Sequence, residues 1–499
     1  MASLDQVKIS RRQVNLNTVV FSAEQEVTVP ASIKISQDTQ YLLQPVLLLA
    51  KDKLAVTYGA GKVRVLGQLE GIFSCVDNYE EVSTLAVPPM EFVAAFTTPA
   101  LGPDADFKVD VHLDGIEVDQ GEGIANITAY LIINLWATQA REVELVSSAS
   151  GGELVAKADS VRLQPVLKET GGQKSLILRL PCPPEALPVG TEVCLGSLSW
   201  QVSEGKLAVS GQVLARVYCL FGEGRTALLE GEQALALELD FEDPGVAESA
   251  LSSSLVKAGL NRVEGEEALD LELVFKVNAT GYREQTMEYV SGLTGADSML
   301  RTVRLMNRLG EGEFKIALEG NCPFATPPEN VDLVLPKVRI IEAQALEGKV
   351  LVRGLLTLYV YYSVENDKRR VLVQEEEFSQ LFDMEGCARG YTLKAWAWPG
   401  AASCREGRYT VPVLIRAEVT EEVEFTAVTD IHVVDYTQGP IKASVVLYTI
   451  KKGDSIFSLA RKFNTTQELL WEHNGFKEGE GLEPGQKILI PVYQSRQKK

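Results

Sequence analysis

Histidine is scarce in this chain: three residues among 499. His112, His432 and His473 lie far apart in sequence, in segments that read as separate domains. No histidine pair, catalytic triad or zinc pattern is indicated. The seven cysteines (Cys75, Cys182, Cys194, Cys219, Cys322, Cys387 and Cys404) are odd in number, and none has CxxC spacing. A disulfide framework is not expected in so large a chain, and buried reduced thiols are the simplest reading. Long apolar runs are also missing. The longest, "AYLIINLWA" at 129–137, contains Asn134 and falls well short of the ~20 residues a membrane span needs. The N-terminal segment "MASLDQVKISRRQVNLNTVVFSAEQE" has basic residues but no apolar stretch behind them, so no secretory signal is read. The expected location is cytoplasmic.

Positive charge is in deficit. The net charge is −20, and the segment from Ile441 onward carries ten Lys and Arg against six Asp and Glu, so the rest bears −24. An acidic body argues against nucleic acid as a partner, because phosphate binding needs clustered Lys and Arg. Carboxylate-rich stretches such as "QEEEF" at 374–378 and "LEGEQALALELDFED" read as solvated strand faces rather than acid–base pairs. "YGAGKVRVLG" has Gly-Lys but no following Ser or Thr, so it is no phosphate-binding loop. No catalytic residue, cofactor or metal site is read, and the chain is expected to be no enzyme.

What the sequence does contain is repetition. "AGKVRVLGQLEGIFSC" begins at Ala60, "EGKLAVSGQVLARVYC" at Glu204 and "EGKVLVRGLLTLYVYY" at Glu347. Their opening glycines, Gly61, Gly205 and Gly348, stand 144 and 143 residues apart. Three homologous domains of about 140 residues follow. Inside each phrase apolar residues alternate. Leu207, Val209, Val213, Ala215, Val217 and Cys219 share one face, as do Val350, Val352, Leu356, Leu358, Val360 and Tyr362. A period of two predicts a long half-buried strand. Gly67, Gly211 and Gly354 fall on the inward face, where a glycine marks a bulge, a bend or a close approach. The expectation is a strand that bends as it crosses between sheets. Further alternating strands close each unit, around Thr138, Thr280 and Thr420, and short helices are expected around "SQDTQYLLQPVLLLA" and "GVAESALSSSLVKAG".

The expected fold is mainly β: three tandem β-sandwich or barrel-like repeat domains (1–155, 156–298 and 299–440) followed by a small α+β (βααβ) module (445–493). In that module "VLYTI" is a strand, Gly453 breaks it, and Asp454 or Ser455 caps a helix. Ile456, Leu459, Ala460 and Phe463 form one apolar helix face. Thr465 with Glu468 reads as a capping box for a second helix through His473, and "LEPGQKILIP" makes a turn and closing strand.

The words "YTIKKGDSIFSLA", "NTTQELLWEHNG" and "LEPGQKILIP" resemble the LysM domain position by position. The repeated phrase resembles the SPOCS domain, and the order of three such units plus LysM is similar to the SipL-like spore-coat morphogenetic proteins of endospore-forming Firmicutes. The LysM resemblance implies a glycan groove between the loop after the first strand and the loop before the last. It carries over to Gly453, Asp454, Ser455 and Ile456, and to the stretch 474–484 with Asn474, Gly475 and Pro484. The glycine, the cap and the turn are needed for the fold whatever it binds. Phe457 and Trp471 are large for helix positions that face out, and Trp471 is a candidate interface anchor. The wider resemblance implies a non-enzymatic coat scaffold that docks through LysM onto the coat's basement ATPase, stage IV sporulation protein A, in the mother-cell cytoplasm. The alternative is a LysM protein binding N-acetylglucosamine-containing glycan of cortex or wall.

Overall fold

The structure, a computed structural model, describes residues 7–102, 105–151, 154–222, 225–241, 248–365, 368–433, 445–476 and 482–491. It is mainly β. A first group of strands runs β1 (Lys8–Lys34), β2 (Thr39–Leu42), β3 (Val46–Leu49), β4 (Ala55–Gly59), β5 (Lys62–Asp77), β6 (Val82–Thr97), β7 (Asp106–Gly121) and β8 (Ile124–Ser150). A second runs β9 (Val155–Leu163), β10 (Val166–Pro181), β11 (Leu187–Leu195), β12 (Ser199–Ser203), β13 (Lys206–Leu220), β14 (Thr226–Asp240), β15 (Glu248–Arg262), β16 (Ala268–Tyr282) and β17 (Gln285–Thr294). A third runs β18 (Asp297–Asn321), β19 (Asn330–Leu346), β20 (Lys349–Val364), β21 (Lys368–Asp383), β22 (Thr392–Pro399), β23 (Ser403–Arg405) and β24 (Arg408–His432). The C-terminal module is β25 (Val445–Thr449), α1 (Ile456–Phe463), α2 (Gln467–Asn474) and β26 (Lys487–Pro491).

Each group builds the same pair of sheets. The repeated phrase is the centre of one: β5 lies between β6 and β2, β3 and β4; β13 lies between β14 and β11 and β12; β20 lies between β19 and β21. The other layer is β1–β8–β7, β10–β16–β15 and β18–β24–β22, and because β1 also neighbours β18 the first and third of these belong to one seven-stranded sheet, with β23 on β24. Apolar side chains of both sheets meet between them. In the first unit Val63, Val65 and Phe73 of β5 pack in one cluster with Ile127, Leu131 and Ile133 of β8. The alternating faces read from the sequence are all buried, from Leu207 to Cys219 and from Val350 to Tyr362.

The opening glycines sit in tight hairpin turns. Ala60–Gly61 and Glu204–Gly205 have positive φ at both residues (51° and 69°, 50° and 78°), and Gly348 has φ 65°. Paired positive φ is the geometry whose twist matches two antiparallel strands. The inward glycines do not carry their strands between sheets: β5, β13 and β20 each stay in one. They mark an interruption of a neighbour. Gly67 lies between the register of β4, which ends at Leu66, and that of β3, which starts at Leu69. Gly211 lies between the β12 and β11 ladders, and Gly354 faces a bulge in β19 at Ile340/Glu342. The freed space is filled by a side chain. A Cβ on Gly67 would meet the Phe92 ring at 2.3 Å, one on Gly211 the Leu198 side chain at 2.7 Å, and one on Gly354 the Phe378 ring at 2.4 Å.

Two helices expected from sequence are strands. Residues 36–50 form β2 and β3, with Leu47 in the core of the first unit and Val46 and Leu48 in a cluster between units. A strand buried on both faces reads as an unbroken apolar run, which periodicity cannot tell from a helix. Of "GVAESALSSSLVKAG", residues 245–247 lie outside the described residues and the rest is β15. A bulge between Leu255 and Lys257 shifts its alternation, so Leu251, Leu255 and Ala258 mimic helical spacing.

The units are fused. β1, β10 and β18 each carry a bulge, at Val19/Phe21, Val166/Lys168 and Arg308/Gly310. Beyond it the first and last strands continue as a two-stranded ribbon: 8–19 with 138–150, β9 with β17, and 297–308 with 420–432. Each ribbon touches the other two. Val14, Leu16, Val143 and Leu145 from the first, Val161, Leu163, Met287 and Tyr289 from the second, and Val303, Leu305, Phe425 and Ala427 from the third share one core. A second junction joins Val46, Leu48 and Ile72 to Tyr218, Leu335 and Tyr359. There Tyr359 Oη donates to Gln44 O (3.3 Å), and Tyr361 Oη and Ser74 Oγ hydrogen-bond across units at 2.9 Å.

Candidate functional site

The C-terminal module folds as β25–α1–α2–β26, with its two strands antiparallel from Val445↔Pro491 to Thr449↔Lys487. Ile450, Ile456, Leu459, Ala460, Leu470, Ile488 and Ile490 form its core. Ser455 caps α1: its hydroxyl accepts from Ser458 N, and Ser458 Oγ accepts from Ser455 N. Asn464 ends α1 in the left-handed region at φ 50°. The expected cap of α2 is shifted by one residue. Thr466, not Thr465, accepts from Leu469 N, while the left-handed turn at Asn464 leaves Thr465 fully buried.

The two loops expected to flank a groove lie side by side. Ile450 N donates to Gln486 O, and Gly485 N donates to Ile450 O. Much of their side-chain chemistry serves the fold. Asp454 accepts from Lys451 N (2.7 Å) and Tyr448 Oη (3.0 Å), and these bonds, the backbone one foremost, hold its carboxyl below the usual range. Asn474 ties α2 to β26: its Nδ2 donates to Leu470 O and Leu489 O, and its Oδ1 accepts from Leu489 N. Gly475 caps α2 at φ 67°. Ile456 is core. Gly453, Ser455, Gly475 and Pro484 are exposed, so a ligand here would meet backbone edges and small side chains. Residues 477–481 of the 474–484 stretch lie outside the described residues. Phe457 is buried rather than outward-facing, and Trp471 is half-buried against the module core. His473 is exposed, its Nδ1 2.9 Å from Leu469 O.

Residues 448–491 are a LysM domain. No curated protein and no solved structure matches the chain. The LysM match covers only this module, and the β-body is described by its own geometry alone.

LysM is seated on the body through contacts that sequence reasoning missed. The connection between α1 and α2 meets the outer end of the β18–β24 ribbon. Asp297 Oδ2 accepts from Gln467 N at 2.8 Å, Gln467 Nε2 donates to Ser298 O at 3.2 Å, and His432 Nε2 lies 3.1 Å from Thr465 O. A carbonyl only accepts, so Nε2 carries the proton. Asp430 bridges Arg461 of α1 (2.5 Å) and Arg11 of β1 (2.7 Å). Burial raises the Asp297 carboxyl to about 6, against the opposing pull of the Gln467 N–H. Burial lowers the His432 imidazole. The seat therefore holds α1 by its C-terminus and α2 by its N-terminus. Gly453–Ser455 and Gly475 lie at the other ends of the same helices.

Among the described residues no group of three His, Cys, Asp or Glu side chains is placed to hold a metal ion. None of their helices is long and apolar enough to cross a membrane.

Proposed function

We propose that the chain is a non-enzymatic assembly protein of the spore coat, whose fused β-body carries LysM as an outward-facing docking module. The observation that carries this reading is the seat. A module held by its α1–α2 connection has Gly453–Ser455 and Gly475 at the helix ends opposite that contact. A freely tethered glycan binder would need no such fixed orientation. The coat assignment itself rests on the sequence resemblance, as does the expected setting, the mother-cell cytoplasm at the forespore surface.

Two ligand classes fit the LysM face. A protein partner, the stage IV sporulation protein A-like coat ATPase, is favoured by an apolar strip on the outer side of the LysM sheet. There Leu447 (64% exposed) and Leu489 (43%) pair across the strands beside Val445 (44%). Exposed apolar surface of this kind is typical of protein contacts. An N-acetylglucosamine-containing glycan is favoured by the LysM domain itself. The full chain is to be tested for retention on purified peptidoglycan and on the immobilised ATPase, alongside the Leu447→Glu variant. Retention by the ATPase alone, lost in the variant, supports the scaffold reading. Retention on peptidoglycan alone, unchanged in the variant, overturns it for the glycan reading.

A further inference from the structure

The far end of the third unit holds two thiols in contact. Cys322 follows β18, where its N–H donates to Gly407 O at 2.7 Å. Cys404 lies in β23 opposite Tyr409 of β24, across the Glu406–Gly407 turn. Their Sγ atoms are 3.1 Å apart, closer than two sulfurs rest without a bond or a shared proton. Cys322 is 6% exposed, while Cys404 is half-buried. One cysteine is thus partly open to solvent, and the other is buried beside it. Cys182 and Cys219 are also close enough to share a proton, but they are 1% and 0% exposed, so no reagent reaches either.

We propose that Cys322 and Cys404 are a modification site: a dithiol that a low-molecular-weight disulfide converts into a covalent cross-link between the end of β18 and β23. The Cys404 thiolate attacks one sulfur of the small disulfide, for example oxidised glutathione. One glutathione thiolate leaves, and a mixed disulfide forms on Cys404. Cys322 then loses its proton to solvent, and its thiolate attacks the Cys404 sulfur and expels the second glutathione. Two protein thiols are oxidised, and one small disulfide is reduced to two thiols. Burial raises the Cys322 thiol, so the second step quickens as pH rises. The bond closes an 82-residue separation, a length at which a cross-link strongly restricts the unfolded chain. Sequence spacing alone gives no hint of the pair, which only the β18–β24–β23 order brings together.

The test uses the reduced full chain treated with oxidised glutathione and then denatured for thiol titration. The expected result is a fall from the seven cysteines of the sequence to five free thiols. A peptide joining Cys322 to Cys404 should appear, and the unfolding midpoint should rise. Cys322→Ser should instead trap one glutathione on residue 404, and Cys404→Ser should keep all of its thiols. Seven thiols remaining in the wild type, or a cross-link mapped to any other pair, overturns the proposal.

Discussion

Asp297→Asn should tighten the seating of LysM on the body. Asp297 is half-buried against the start of α2, and this burial raises its carboxyl from 3.8 to about 6. Docking therefore favours the protonated acid, and the ionised form weakens the seat at neutral pH. Two pH units correspond to a ceiling of about 3 kcal/mol. The side chain keeps some contact with water, which screens the charge and brings the expected effect to about 1–2 kcal/mol. Asparagine removes the charge but keeps an oxygen for Gln467 N. The assay is amide exchange at Gln467, corrected for intrinsic rates. Gln467 is the first residue of α2, so its N–H has no intrahelical acceptor and its protection reports the seat alone. At pH 7.5 the Asn variant should exchange roughly 5- to 30-fold more slowly than wild type, the factor equivalent to about 1–2 kcal/mol. At pH 5, where wild-type Asp297 is largely protonated, the gap should close. His432 acts in the opposite sense: its pKa is lowered, so the stability it contributes is lost as pH falls below 6.5. Faster exchange in Asp297→Asn at pH 7.5 would refute the reasoning, because it would mean that the ionised carboxylate itself holds the helix.

Three further outcomes follow from the packing. Gly354→Ala should cost about 2–3 kcal/mol in a urea unfolding midpoint, because its Cβ meets both the Phe378 ring at 2.4 Å and Arg339 O at 2.8 Å. Gly211→Ala meets only the flexible end of Leu198 and should cost nearer 1 kcal/mol; equal costs would discount the ring-over-glycine account. Leu145→Ala, at 0% exposure in the core shared by the ribbons, should cost about 2–5 kcal/mol. It should lower exchange protection in ribbons of all three units together, and loss confined to β1 and β8 would contradict the shared core. Tyr361→Phe should cost about 1 kcal/mol by thermal unfolding, since it leaves the buried Ser74 hydroxyl to Thr84 alone.

How much of this was legible beforehand depends on range. The repeated strands were readable because a period of two is local, whereas the positive-φ turn that opens each phrase was not read. The LysM domain was readable for the same reason: Ile456, Leu459, Ala460 and Phe463 announce one helix face without reference to the body. Length and alternation could not show which face of a strand meets its own sandwich and which meets a neighbour. Val14 and Leu16 alternate like any strand residues, yet they pack on Val161 and Phe425 of other units. The seat was equally hidden. Asp297, Asp430 and His432 are ordinary polar residues until the ribbon end brings them against Thr465 and Gln467. The cap read at Thr465 falls one residue on, at Thr466, because the left-handed Asn464 turns the chain before α2 begins.

The same geometry explains why the three units are fused rather than strung apart. A two-stranded ribbon standing free in water is marginal, because one sheet face alone cannot bury enough apolar surface. Three ribbons that face each other bury one side of all six strands. The price is independence: a unit that lends its ribbon to the common core no longer completes itself. The consequence reaches LysM, because its seat is not a patch on a self-sufficient domain. It is the tip of the β18–β24 ribbon, which packs against the other two, and Arg11 of β1 completes it through Asp430. The orientation of the module is thereby tied to the integrity of the whole body, so a substitution in the shared core should disturb the seat as well as the ribbons.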